Sequence, residues 1–159
     1  GYGFPAILGA KIGCPDTPVI GFAGDGSFGI SMNEMSSCAR KEWPAISMVI
    51  FRNYQWGAEK RNTTLWYDDN FIGTELDPEL SYAKVAVACG LKGVAVRTME
   101  ETTAAIKQSC EDQKTCITTF IEVILNQELG EPFRRDAMKK PVKVAGINKA
   151  DMKPQKGLN

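Results

Sequence analysis

The sequence predicts an α/β fold in three layers, with a mainly parallel sheet between two layers of helices. Two observations carry this reading. Short apolar, β-rich runs alternate along the chain with segments of helical pattern. The runs are apolar enough to be strands covered on both faces, as parallel strands joined by crossover helices are.

In chain order, residues 18–23 read as a buried strand ending in the turn Gly24-Asp25-Gly26-Ser27. Residues 31–41 read as a helix with Met32, Met35 and Ala39 on its inner face, and Pro44 follows its end. Residues 46–51 form a second strand. The stretch 52–78 is long, carries Trp56, Trp66 and Tyr67, and is expected to be functional for its length. Residues 79–89 are helical, and Gly90 is a common stop residue. A third strand covers 93–97, a helix capped by Thr98 covers 100–113, and a strongly apolar fourth strand covers 117–125.

Composition narrows the function. A chain of 159 residues suits one domain, and 43% apolar and 24% charged residues are ordinary for a soluble globular protein. No apolar run approaches the roughly 18 residues needed to span a bilayer, and no secretion leader is visible. The first residue is Gly1, so a fragment or a processed product is expected, with functional residues upstream. The 5 cysteines are odd in number and form no CxxC pair, which points to reduced thiols in a cytoplasmic protein, several of them buried. There is no histidine, which removes histidine-based zinc sites and Ser-His or Cys-His nucleophile pairs from this chain. Residues 131–159 form a basic tail: from 134 onward it carries 8 basic and 2 acidic side chains. It lacks interleaved aromatics for base stacking, so a solvated tail is expected and nucleic acid is not.

In a parallel sheet, ligands bind beyond the carboxyl ends of the strands. Two such ends carry unusual polar residues. In Gly24-Asp25-Gly26-Ser27 the glycines let the backbone approach an oxygen-rich ligand. Its N–H groups favour phosphate, and its carboxylate can hold a divalent ion that bridges to that phosphate. Read alone, the turn is as compatible with an Asp-Gly hairpin. A helix after it, in place of a returning strand, tips the balance. Asn53 offers a neutral hard oxygen just past the second strand. Strand ends joined by one crossover can lie side by side, and Asp25 and Asn53 can then share an ion.

Gly24-Asp25-Gly26, followed after 26 residues by Asn53, resembles the cofactor motif of thiamine-diphosphate-dependent enzymes of the acetohydroxyacid synthase and decarboxylase type. The glycine-rich Gly1-Tyr2-Gly3-Phe4-Pro5-Ala6-Ile7-Leu8-Gly9-Ala10-Lys11 is similar to the leading helix of that superfamily's diphosphate domain. Glu34 and Pro44 also stand where its pattern expects them. The resemblance covers residues 1–130. One departure is Arg52, where the superfamily has a first asparagine. The resemblance implies thiamine diphosphate and Mg²⁺ as cofactors. It implies metal ligands at Asp25, Asn53 and, through its backbone carbonyl, Gln55. It implies cofactor contacts at Gly24, Asp25, Gly26, Ser27, Asn53, Gln55, Trp56 and Gly57.

Within the superfamily, the run from Arg52 to Trp66 and the run Glu131-Pro132-Phe133-Arg134-Arg135-Asp136-Ala137-Met138-Lys139-Lys140-Pro141 resemble the sulfoacetaldehyde acetyltransferase branch. That implies conversion of sulfoacetaldehyde and phosphate, both small anions, to acetyl phosphate and sulfite. Arg52, Lys60, Arg61, Arg134 and Arg135 are then candidate anion partners. The segment after Asn53 is expected to form a helix on which Ala58, Arg61 and Asn62 face the substrate. Relatives take their activating glutamate from another domain, usually a partner subunit's, and the bulky residue that bends the cofactor falls just before Gly1. The upstream domains are therefore expected to be missing, this chain alone inactive, and the enzyme at least a homodimer. Another member of the superfamily, such as an acetohydroxyacid synthase or a 2-oxoacid decarboxylase, is the rival enzyme. A non-catalytic structural domain and a dinucleotide-binding module are the rivals of other classes. Against the dinucleotide module, with the helix placed at 31–41, no G-x-G-x-x-G turn opens a helix, and no suitably placed acid follows.

Overall fold

The structure is a computed structural model that describes residues 1–127, with the backbone only at residues 64–66. The basic tail, Arg134 and Arg135 included, lies outside the described residues. The chain divides into two compact units. One holds Gly1–Trp56 and Glu75–Glu128, and the described part of the other is Gly57–Thr74.

The first unit is built on a four-stranded sheet. Helix α1 (Gly3–Gly13) leads into strand β1 (Ile20–Gly24), followed at once by the short helix α2 (Asp25–Gly29). A 3₁₀ turn (Met32–Glu34) and the one-turn helix α3 (Met35–Cys38) precede β2 (Ser47–Arg52). Helix α4 (Gly57–Trp66) belongs to the second unit. Helix α5 (Tyr82–Ala88), β3 (Lys92–Val96), α6 (Met99–Lys114) and β4 (Thr119–Ile124) complete the order. The strands lie in the order β1-β2-β4-β3 and every pair is parallel. The expected strands and parallel pairing are present, displaced by one or two residues at their ends.

The two faces of the sheet carry separate cores, which makes the three layers. On one face Phe4 and Leu8 of α1, Phe28 of α2, Met35 of α3 and Tyr82 and Ala86 of α5 pack on Met48, Ile50 and Phe120. Phe4, Phe28, Phe120 and Tyr82 form an aromatic cluster with ring centroids 5.1–5.9 Å apart. On the other face Val49, Val96, Ile121 and Val123 pack against Ala105 and Ile106 of α6. Complete burial of such side chains contributes about 1.5–3 kcal/mol each.

Local chemistry sets the element ends. Thr98 and Glu101 form a reciprocal capping box at the start of α6, as the sequence predicts for Thr98. Gly90 adopts φ +81° after α5, a conformation that suits glycine. The predicted single helix over 31–41 is broken. Helix begins at Asp25, and Met35 and Cys38 face the core while Ala39 is exposed. The physical reason is the run of Gly29, Ser31, Asn33, Ser36 and Ser37. Their side chains leave the helix ladder weak, and Ser36 Oγ donates 2.8 Å to the Asn33 carbonyl, competing with it. The cysteines are free, as expected, but of the five only Cys38 is fully buried; Cys14 and Cys116 are exposed. Burial pushes the Cys38 thiol up to about 12.

Two outcomes test this packing. A Cβ at Gly93 meets the Ala83 carbonyl oxygen at 2.0 Å, where α5 lies against β3. Gly93→Ala should therefore lower stability by at least the ~1–3 kcal/mol typical of overpacking, read from the thermal midpoint. Asp112 is the second. Burial raises its carboxyl, but hydrogen bonds from Lys92, Gln108 and Thr119 win and hold it below the ordinary value. A depressed native pKa adds stability at neutral pH that is lost as pH falls below about 4. Urea titrations should show that loss, and Asp112→Asn should flatten it.

Candidate functional site

The site grows from the parallel pairing of β1 with β2. Gly24 pairs with Phe51, so the chain leaves both strands at the same edge of the sheet. Asp25 is the first residue after β1 and Asn53 the first after β2. Asp25 is 1% exposed, and a buried carboxylate needs partners. Its Oδ2 accepts the Tyr54 N–H at 2.7 Å and its Oδ1 accepts the Gly26 N–H at 2.9 Å. Burial pushes the Asp25 carboxyl up, and these two N–H groups and the Arg52 guanidinium partly offset that rise.

The loop after β2 makes this possible. Tyr54 has φ 61°, a left-handed conformation rare outside glycine. Beside this bend the Tyr54 N–H reaches Asp25 Oδ2, and the Asn53 amide lies near Asp25 Oδ1 and the Gln55 carbonyl. The Asn53 amide lies 3.1 Å from Asp25 Oδ1 and 3.2 Å from the Gln55 carbonyl oxygen. Its two ends are told apart only by their partners. With nitrogen inward, the amide donates to both oxygens. With oxygen inward, three oxygens face one another and call for a cation. Asp25 Oδ1 and the Gln55 carbonyl oxygen thus flank one end of the Asn53 amide, and these are the residues at which the resemblance implies metal ligands. The loop is held from behind: the Leu76 N–H donates 2.9 Å to the Tyr54 carbonyl, and the Gln55 side chain donates 2.9 Å to the Gln127 carbonyl.

The other predicted residues divide. Gly24 is exposed, and a Cβ there meets nothing within 4 Å. Gly26 is buried, and its missing Cβ is replaced by the Trp56 indole, which a Cβ would meet at 3.0 Å. A larger residue at 26 would press on Trp56, which would have to give by a few tenths of an ångström. Ser27 is exposed beside them. Gly57, Ala58, Arg61 and Asn62 lie on α4 in the second unit, where Ala58 and Asn62 are exposed one turn apart. In that unit Lys60 Nζ sits 5.2 Å from the centre of the Phe71 ring.

Arg52 is a correction. Expected to meet substrate anions, it is 1% exposed and fully committed to the interior. Its Nε stands 3.0 Å from Glu122 Oε1, and its Nη2 donates to the carbonyls of Asp77, at 2.7 Å, and Leu80. Its guanidinium carbon lies 4.6 Å from the centre of the Tyr54 ring and 4.9 Å from that of Tyr82. Glu122 and Tyr82 are contributors the sequence reading missed. Glu122 Oε2 accepts from Ser81 Oγ at 2.6 Å and the Ala83 N–H at 3.1 Å, and Tyr82 Oη donates 3.1 Å to the Asp25 carbonyl. A lone acid inside the apolar run Thr119-Phe120-Ile121-Glu122-Val123-Ile124 was the available signal. Because α2 starts at Asp25, Gly24-Asp25-Gly26-Ser27-Phe28-Gly29 does open a helix with G-x-G-x-x-G spacing, contrary to expectation. The dinucleotide reading still fails on its acid, since Arg52 and Asn53 stand where the second strand ends.

Comparison with known proteins follows the same line. The family described as thiamine pyrophosphate enzyme, C-terminal TPP binding domain, matches residues 1–123. The chain is 74% identical over 158 residues to the probable sulfoacetaldehyde acetyltransferase of Rhizobium meliloti (strain 1021), covering 99% of this chain and 27% of that protein. It is 68% identical over 155 residues to the sulfoacetaldehyde acetyltransferase of Roseovarius nubinhibens, covering 98% of this chain and 26% of that protein. Among solved structures it resembles the thiamine diphosphate-dependent 4-hydroxybenzoylformate decarboxylase of Rhodococcus jostii RHA1, with a TM-score of 0.71 and 29% identity, over 81% of this chain and 24% of that one. The chain spans about a quarter of the length of the curated relatives it matches. A turn and a loop that gather oxygens at adjacent strand ends, in a chain matched from residue 1 to 123, place it in the thiamine pyrophosphate enzyme family as a C-terminal TPP-binding domain.

Proposed function

We propose that this chain is the diphosphate- and Mg²⁺-binding domain of a sulfoacetaldehyde acetyltransferase, which converts sulfoacetaldehyde and phosphate to acetyl phosphate and sulfite. The observation that carries the cofactor reading is the meeting of Asp25, Asn53 and the Gln55 carbonyl. Likeness to two sulfoacetaldehyde acetyltransferases, at 74% and 68% identity, supports the reaction.

The residues fit the group they are asked to hold. Oxygen donors at right angles around Mg²⁺, each ~2.0–2.1 Å from it, stand about 3 Å apart. The Asn53 corner lies 3.1 Å and 3.2 Å from its two neighbours. One carboxylate and two neutral oxygens leave the remaining positions to diphosphate and water, the usual arrangement for this ion. Asp25 would bind the ion through Oδ1 while the Tyr54 N–H keeps Oδ2. The open side of Gly24 and the exposed Ser27 give the diphosphate room to approach the backbone. Bound thiamine diphosphate supplies the carbanion chemistry, and this domain supplies anchorage and orientation.

The whole enzyme reaches beyond this chain. In this reading it is a cytoplasmic homo-oligomer, at least a dimer, whose other domains supply the activating acid and the residue that bends the cofactor. Ala58, Arg61 and Asn62 on α4 line the substrate pocket, with Lys60, Arg134 and Arg135 as further partners for sulfonate or phosphate. Trp56 and Gly57 complete the cofactor contacts. No helix among the described residues is long and apolar enough to cross a membrane.

Two experiments on the full-length protein test this reading. Incubation with sulfoacetaldehyde, phosphate, Mg²⁺ and thiamine diphosphate should yield acetyl phosphate and sulfite in equal amounts; no acetyl phosphate would refute the reaction. Calorimetric titration of Asp25→Ala should show no Mg²⁺-dependent cofactor binding, and unchanged affinity would refute the metal site. Gly24→Ala separates site from fold. Its Cβ enters open space, so stability should change by about 0.5 kcal/mol or less, while cofactor affinity should fall.

A further inference from the structure

Behind the three converging oxygens lies a second buried layer with charge of its own. Arg52, Glu122 and Asp25 are each 1% exposed. Arg52 sits between the two acids, 3.0 Å from Glu122 Oε1 through Nε and 3.9 Å from Asp25 Oδ2 through Nη1. Nη1 has no hydrogen-bond partner. Its nitrogen is thus free to face Asp25 Oδ2, the oxygen that Tyr54 also holds. Oδ1 is left toward Asn53 and the Gln55 carbonyl.

We propose that Arg52 is a positioning residue for the cation site, fixing Asp25 with Oδ1 presented to the ion, and that Glu122 is the counter-charge that permits it. This inference rests on the Mg²⁺ reading given above. Three features support it. First, Arg52 ties together the elements that carry the site. It is the last residue of β2, next to Asn53, and its Nη2 holds the carbonyls of Asp77 and Leu80 ahead of α5. From α5, Tyr82 Oη reaches the Asp25 carbonyl at 3.1 Å. Second, Tyr54 and Tyr82 both lie against the guanidinium, leaving it little freedom to turn. Third, the charges sum correctly. Two carboxylates and one guanidinium leave one net negative charge, which attracts a divalent cation. Arg52 without Glu122 would cancel that charge. Glu122 without Arg52 would leave a second buried carboxylate beside Ser81 and Ala83. Groups that orient metal ligands from behind typically change metal affinity 10–100-fold when removed.

A purely structural role makes a different prediction, and net charge allows the two to be separated. Arg52→Met strands Glu122 and should lower the melting temperature. Arg52→Met with Glu122→Gln removes both charges, keeps an acceptor for Ser81 and Ala83, and restores the single net negative charge. Replacing a buried ion pair by neutral groups often preserves stability. In the full-length enzyme, the double variant should regain most of the lost melting temperature. Its Mg²⁺ dissociation constant, titrated with thiamine diphosphate present, should stay raised about 10–100-fold. Its preference for Mg²⁺ over Ca²⁺ should also narrow, because that choice depends on a rigid site. If affinity and ion preference return to wild-type values along with stability, Arg52 only balances charge and the inference is wrong. Should Arg52→Met not fold, the double variant gives the reading alone. Asp25→Ala, run in parallel, keeps the two readings apart. Loss of Mg²⁺ binding there with wild-type binding in the double variant overturns this inference only. No loss there overturns the metal site itself.

Discussion

Everything at the site depends on the parallel pairing of β1 with β2. Register Gly24↔Phe51 fixes where each strand releases the chain, and Asp25 and Asn53 follow within two residues of that point. Side chains alternate along a strand, so a slip of one residue would exchange the two faces of β2. Met48 and Ile50 would leave the aromatic core, and Arg52 would leave Glu122. Register is therefore enforced twice, by apolar packing and by a buried ion pair. The proposed metal site, with only one carboxylate, would need that accuracy, since its other two oxygens are neutral and bind weakly when misplaced.

The partners of the buried polar cluster offset much of its cost. Taking a charge from water into a protein interior carries a penalty of several kcal/mol. Asp25 is kept by two N–H groups, Glu122 by a hydroxyl and an N–H, and Arg52 by two carbonyls and two aromatic faces. Burial pushes the Tyr82 hydroxyl up, so it stays protonated and able to donate to the Asp25 carbonyl. The cluster runs from the middle of β4 through the end of β2 to the end of β1. It couples the start of α5 to the turn after β1 through groups that each have one geometry.

Much of this was legible in the sequence because it follows local rules. Apolar runs gave the strands, Thr98 gave the cap of α6 and Gly90 the end of α5. The pairing of Asp25 with Asn53 came from residue spacing and family resemblance together, and Gln55 from the resemblance alone. What escaped was non-local. The broken segment after β1 shows apolar spacing suited to a helix, but small polar residues and Gly29 prevent one from running through. Arg52 carries the same side chain whether it meets a substrate or a buried acid. Only the position of Glu122 on the neighbouring central strand decides between them. Tyr54 gave no warning of its left-handed backbone, a conformation usually signalled by glycine or asparagine.

The charge arithmetic bears on how a site of this kind loads. Asp25, Arg52 and Glu122 together leave one negative charge, and Mg²⁺ on one carboxylate usually shares its shell with phosphate oxygens and water. A diphosphate would bring further negative charge, and Arg52, turned inward, does not meet it. On the proposed reading each would supply what the other lacks: the cation would neutralise the diphosphate, and the diphosphate would complete the cation's oxygen shell. Linkage makes that dependence mutual, so whatever strengthens one must strengthen the other by the same factor. On that reading the domain would gain cofactor affinity by holding three oxygens still, and the buried guanidinium, 3.9 Å from Asp25 Oδ2, is placed to help.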